Sequence, residues 1–143
     1  MNRESRLKYT KRIIILSGLI CVIAALANLS LPSLGWGFLL VIAFSMIVAP
    51  RMSLEMPHSR FAISFSDAAV FLAFLYYGGP AAIIVAALEN LASCLYLRSR
   101  GFQLSRLMIL TNVSINSIAI SVTYLIWLYI PELSFVTVVE GTT

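Results

Sequence analysis

Apolar residues run through this chain in long blocks separated by brief polar punctuation, a pattern unlike the short alternations of a soluble domain. Blocks at 13–31, 81–97 and 107–130 each approach the ~20 residues that an α-helix needs to cross ~30 Å of hydrocarbon. The first predicts a helix over 13–31, ended by Pro32 and the turn residues Ser33 to Gly35. A second helix is predicted over 36–49, opened by Trp36 as an interfacial anchor and closed by Pro50. Its ~14 residues rise only ~21 Å, which is short for a lipid-facing span.

Between 51 and 66 the period changes to two. Met52, Leu54 and Met56 alternate with Ser53 and Glu55, and Phe61, Ile63 and Phe65 alternate with Ala62, Ser64 and Ser66. With Pro57-His58-Ser59 between the arms, this predicts a small β-hairpin at the cytoplasmic interface. The competing expectation is an irregular amphipathic loop on the membrane surface. His58 reads as a solvated turn residue.

The next block, FSDAAVFLAFLYYGGPAAIIVAALENLASCLYLR, is two helices. Ser66 suits an N-cap and Asp67 suits the positive end of a helix, so one helix is predicted over 67–77. Gly78 and Gly79 supply a break, and Pro80 fits the first turn of a new helix over 80–97. The helix over 67–77 rises ~16 Å, so it crosses a bilayer only if its approach through Phe61 to Phe65 enters the membrane or if it packs within a bundle. A fifth helix is predicted over 107–130, closed by Pro131. The expected fold is an all-α polytopic membrane bundle of about five transmembrane helices with a short third one. A basic stretch at 1–12 precedes the bundle at 13–131, and a short non-cytoplasmic tail at 132–143 follows it.

Composition agrees with this reading, since 60% of the residues are hydrophobic and 11% charged, against ~45–50% and ~25% in soluble domains. The formal net charge of +4 raises nucleic acid as a partner. The charges, however, lie between apolar blocks and form no basic stripe on a folded surface, which excludes it. Cys21 and Cys94 fall inside predicted spans without a C-x-x-C or Cys/His pattern, so neither a disulfide framework nor a metal site is expected. No cofactor is expected either. The first residues, MNRESRLKYTKR before IIILSGLICVIA, have the parts of a secretory signal peptide. The apolar stretch continues to Leu31, and an uncleaved first helix is the expectation.

Charge placement sets the topology. With five crossings and a cytoplasmic N-terminus, all 10 Lys and Arg residues fall on the inside. A re-entrant segment at 67–77 would instead put Arg98, Arg100 and Arg106 outside. The expected location is a bacterial inner membrane, with the lipid bilayer as the first partner.

Glu89 is the position that asks for chemistry. It lies nine residues from both Pro80 and Arg98, ~13 Å from each, and so near the bilayer midplane. A carboxyl there is costly against lipid and should face the bundle interior. Ala82, Ala86, Glu89 and Ser93 share one helical stripe with Asn90 at its edge. Asn112, Asn116, Ala119 and Thr123 share a face of the fifth helix, and Asn116 reaches the same depth as Glu89, which makes these two the expected pair. Asn28, on the first helix, lies nearer the outer surface. The candidate ligand-binding residues are Glu89, Asn90, Asn112 and Asn116, with Gly78, Gly79 and Pro80 as the helix break. The plainer reading of the same side chains is interhelical glue. No nucleophile–base pair or phosphate loop accompanies them, so no enzyme activity is expected.

The stretch AISFSDAAVFLAFLYYGGPAAIIVAALENL resembles the N-terminal membrane-associated sensor domains of bacterial cyclic-di-GMP signalling proteins and sensor kinases, across roughly 13–130. Such domains precede diguanylate cyclase or HD-type phosphodiesterase domains. The resemblance implies a non-catalytic sensory input module that couples a ligand or membrane stimulus to a cytoplasmic output domain not present in this chain. It makes that output domain and a second copy of the chain candidate partners, and it implies a chain truncated at Thr143, since the charge count ends it outside. A substrate-binding membrane subunit of a small-molecule transporter is the alternative, although the Ala-x-x-x-Ala contact of such subunits is missing on the first helix, where Asn28 and Leu29 follow Ala24 and Ala25. A small structural membrane subunit is the third reading.

Reporter fusions test the topology: those at Ser33 and after Ile130 should report the outside, and those at His58 and Arg100 the cytoplasm. An outside signal at Arg100 would defeat five passes.

Overall fold

The computed structural model describes residues 3–30, 35–48, 51, 54–55, 62–63 and 66–129. Five helices form an all-helical bundle: α1 (Arg3–Ala27), α2 (Gly35–Ile47), α3 (Ser66–Tyr77), α4 (Gly79–Ser99) and α5 (Arg106–Tyr129). Two further segments, β1 (Leu54–Glu55) and β2 (Ala62–Ile63), pair antiparallel with Leu54 opposite Ile63 and Glu55 opposite Ala62. The predicted hairpin turn, Pro57-His58-Ser59, lies outside the described residues, as does the tail at 132–143. Three helices, α1, α4 and α5, are long and apolar enough to cross a membrane, and α2 and α3 are shorter.

Helix α1 departs from its predicted ends. It begins at Arg3, ten residues before the apolar block, because the basic stretch is itself made of helix-forming residues with Glu4 in its first turn. It stops at Ala27, short of Leu31. The Asn28 side-chain amide donates to the Ala24 carbonyl at 2.8 Å, and local bonding of this kind competes with continued helix.

Helix α4 is the axis of the bundle, in contact with α1, α2, α3 and α5. Residues 81–87 are all buried, a run of nearly two full turns with no face left open. The residues explain this: Ala81, Ala82, Ala86 and Ala87 keep the helix thin enough for four neighbours. One side, Ala81, Ala82, Val85 and Ala86, packs with Phe38 of α2 and Val70 and Ala73 of α3. Another, Ile83 and Ile84, packs with Ala25 of α1. The outer surface is apolar, with Leu16, Leu19, Ile23, Leu40, Phe71, Leu110 and Ile126 about half exposed or more, as a lipid-facing surface requires.

Two glycines set the closest approaches. A Cβ on Gly18 would overlap Cβ of Ser114, so α1 and α5 run parallel almost backbone to backbone at this point. A Cβ on Gly79 would enter the Tyr124 ring, which lies over the start of α4. Gly78 has a different task. Its φ of 85° and ψ of 176° are open to glycine alone. In that conformation its N–H closes α3 on the Phe74 carbonyl at 3.1 Å, and its own carbonyl accepts from Ala82 N at 3.1 Å to open α4. Pro80 sits in the first turn of α4, where its missing N–H costs nothing. Gly101, with φ 96°, ends α4 in the left-handed region, and Ser105 Oγ then accepts from Met108 N at 3.2 Å to start α5.

These contacts place the helices in register. Tyr124 over Gly79 and Asn116 beside Ala86 make α5 antiparallel to α4. Arg6, Lys8, Lys11 and Arg12 of α1, Arg98 in the last turn of α4 with Arg100 at its C-cap, and Arg106 of α5 therefore gather at one end of the bundle, the basic end.

Gly18→Ala and Gly79→Ala should each lower stability by about 1–3 kcal/mol in mixed-micelle unfolding, because backbone or ring atoms must move. Gly37→Ala should change it by less than about 0.5 kcal/mol, since only the far end of the Tyr77 side chain meets the new methyl.

Candidate functional site

Polar side chains collect where α4 leaves its fully surrounded half. Glu89 continues the stripe of Ala82, Val85 and Ala86 and is only 6% exposed. Ser93, one turn on, donates its hydroxyl to Glu89 Oε1 at 3.0 Å. Asn90, half-buried beside it, accepts from the Cys94 thiol at 3.6 Å through its side-chain oxygen. Asn112 of α5 is also within hydrogen-bonding reach of Cys94, so this buried thiol stands between the amides of two helices. Asn116 joins α5 to α4 one turn from Glu89, donating Nδ2–H to the Ala86 carbonyl at 3.3 Å.

The four predicted residues are thus brought to one α4–α5 seam. The expected Glu89–Asn116 pairing takes a different form, in which Asn116 bonds the α4 backbone beside the acid. The predicted polar face of α5 needs correction. Ala119 and Thr123 are exposed, and the buried polar positions are Ser114 and Ser117. Serines are short enough to bond their own helix, as Ser117 does to the Val113 carbonyl at 2.9 Å, and so cost little when a neighbour presses on them. Asn28 is not part of the seam: its amide is used on Ala24.

Helix α3 adds a geometric fact about Glu89. Because α3 and α4 fold back on one another at Gly78, residues equally distant from it are level. The first turn of α3, at Asp67, is eleven residues before Gly78, and Glu89 is eleven after it, each ~16 Å away. A buried carboxyl at this level lies at the same depth as the N–H-rich end of a short helix, which carries partial positive charge. The shortness of α3 therefore brings a helix N-terminus to the depth of the acid.

Ser45 of α2 was missed by the sequence reading. It is 1% exposed, and its Oγ is, among the described residues, a buried side-chain oxygen with no hydrogen-bond partner. It follows Phe38 by seven residues on a helix parallel to α4. Since Phe38 packs with Ala81 and Ala82, Ser45 comes level with roughly Leu88–Glu89, ~10 Å further along. A lone serine in the apolar run GWGFLLVIAFSMI was the available signal. Among the described residues no group of three His, Cys, Asp or Glu side chains comes together to hold a metal ion.

A cavity of about 520 Å³ between α1, α4 and α5, lined by Cys21, Asn28, Pro80, Ser121 and Tyr124 among others, lies toward the end opposite the basic one and takes in none of the four seam residues. Comparison with known proteins finds no matching family, no matching curated protein and no matching solved structure.

Asn116→Leu should cost about 0.6–1.7 kcal/mol by removing an interhelical bond within the membrane, whereas Ala119→Leu on the exposed face should be close to neutral. Unfolding in mixed micelles measures both.

Proposed function

We propose that the chain is a non-catalytic, membrane-embedded input module, in which the Glu89 seam receives a stimulus and α4 transmits it as a change of helix packing to a cytoplasmic output partner. One observation carries this reading: the buried acid sits on α4, which packs against all four other helices. An ionisable side chain within a membrane span marks a functional site by default, because its cost is otherwise unrecovered. The surroundings of Glu89, a serine, three asparagines and a thiol within about two turns, offer donors and acceptors for a proton, a small cation or a small polar ligand. The resemblance of the 62–91 stretch to bacterial sensor domains supports the same reading.

The gathered basic residues support a cytoplasmic basic end, with the N-terminus inside and α1, α4 and α5 as full crossings. Helices α2 and α3 are read as shortened crossings, which gives five passes in a bacterial inner membrane. Changing the charge state of Glu89 alters what its neighbours can bond, and a helix packed on all sides cannot adjust without moving its partners.

Two substitutions separate sensing from glue. Glu89→Gln keeps shape and hydrogen bonding, so the melting temperature should stay near wild type, while its dependence on pH and on monovalent cations is lost. Glu89→Leu strands the Ser93 hydroxyl and its neighbours, and should cost about 1–3 kcal/mol. A Gln variant that responds like wild type would identify Glu89 as glue and refute the sensing role.

A further inference from the structure

We infer that the groove between α3 and α5 is a binding site for a compact lipophilic amine, with Asp67 as the group that holds the ammonium. The groove encloses about 410 Å³ and is walled by Phe71 and Phe74 on α3, Ile120, Thr123 and Trp127 on α5, and Asp67 at one end. That volume lies within the range of small-molecule sites, ~300–1,000 Å³. This site is separate from the Glu89 seam and does not depend on the sensory reading.

Depth makes Asp67 unusual. The Phe74 ring meets Trp127 edge to face, with centroids 5.9 Å apart and planes at 89°. Asp67 precedes Phe74 by seven residues, so it lies ~10 Å down α3 from the aromatic pair, at the level of Glu89. Glu89 is ten residues from each end of α4, ~15 Å from both Gly79 and Ser99. An acid at the first turn of a helix ordinarily meets water. Here the first turn of α3 begins at mid-depth of a membrane-spanning helix, and the acid opens into an apolar groove. Among the described residues no hydrogen bond or ion pair reaches its carboxyl.

The ligand class follows from charge and shape. A carboxyl at this depth is costly until a cation pairs with it. The walls above it are apolar and aromatic, which suits a hydrocarbon body. The distance from Asp67 to Trp127, ~10 Å along the helices, limits the ligand to a compact body and excludes a long extended chain. Thr123 leaves one hydroxyl in the wall, already donated to the Ala119 carbonyl at 3.0 Å, so the groove presents no second strong polar anchor.

A matched trio of probes tests this in lipid nanodiscs: 1-adamantylamine, 1-adamantanol and 1-adamantanecarboxylic acid, which share one hydrocarbon cage and differ in charge. Trp127 fluorescence is the readout, in a Trp36→Phe background that removes the only other tryptophan. The expected result is a saturable response to the amine at about tenfold or more lower concentration than to the alcohol, and none to the acid. Asp67→Asn should erase the preference for amine over alcohol, and Asp67→Glu should keep it. Equal responses to amine and alcohol in the wild-type background, or an unchanged preference in a folded Asp67→Asn protein, would overturn the assignment. So would no saturable response to any probe, the result expected of a groove filled by lipid chains or by a second copy of the chain.

Discussion

The bundle depends on how closely helices can approach α4. In lipid, burying a leucine against another helix gains little over burying it against acyl chains, so association rests on contact density and on hydrogen bonds between helices. Four alanines in the run 81–87 and the absence of a Cβ at Gly79 let neighbours reach the α4 backbone from every side. Gly18 against Ser114 does the same for α1 and α5. Large side chains are displaced to the outside, where about thirty big apolar residues among the described ones are exposed.

Close packing around α4 also explains where polar groups stand. The half of α4 near Gly79 carries only apolar side chains of its own and packs mainly on apolar ones. The enclosure loosens past Ala87, where α3 begins and α2 nears its end, and there Glu89, Asn90, Ser93 and Cys94 follow in quick succession. Their bonds run along α4 and across to α5, where α5 remains the neighbour. Glu89 thus lies at the boundary between a closely packed half of the bundle and a more open one.

Shortness of α3 has two outcomes. It sets a helix N-terminus at the level of Glu89, and it leaves Asp67 in the wall of the α3–α5 groove. One acid is enclosed and bonded, and the other opens into a groove between helices. Both are placed by the single corner at Gly78, whose backbone conformation joins α3 to α4 without a loop.

Much of the fold was legible in the residues themselves. Long apolar blocks, Pro and Gly at their ends and a lone Gly-Gly-Pro break determined the number and order of the helices, because each rests on local backbone chemistry. The interior stripe of α4 was legible for the same reason, since period and residue size along one helix need no partner to be read. Other features needed the assembled bundle. The helical reach of α1 into its basic stretch is invisible to a hydrophobicity pattern, which marks where lipid is and not where helix begins. The buried face of α5 was misread because amides look more important than serines, while packing against Gly18 favours the smaller side chain. Ser45, Cys94 and the depth of Asp67 depend on how far one helix is shifted along another. Local sequence determines which residues share a face; only tertiary contacts decide which faces meet and at what height, because those depend on side-chain volumes summed across several helices at once.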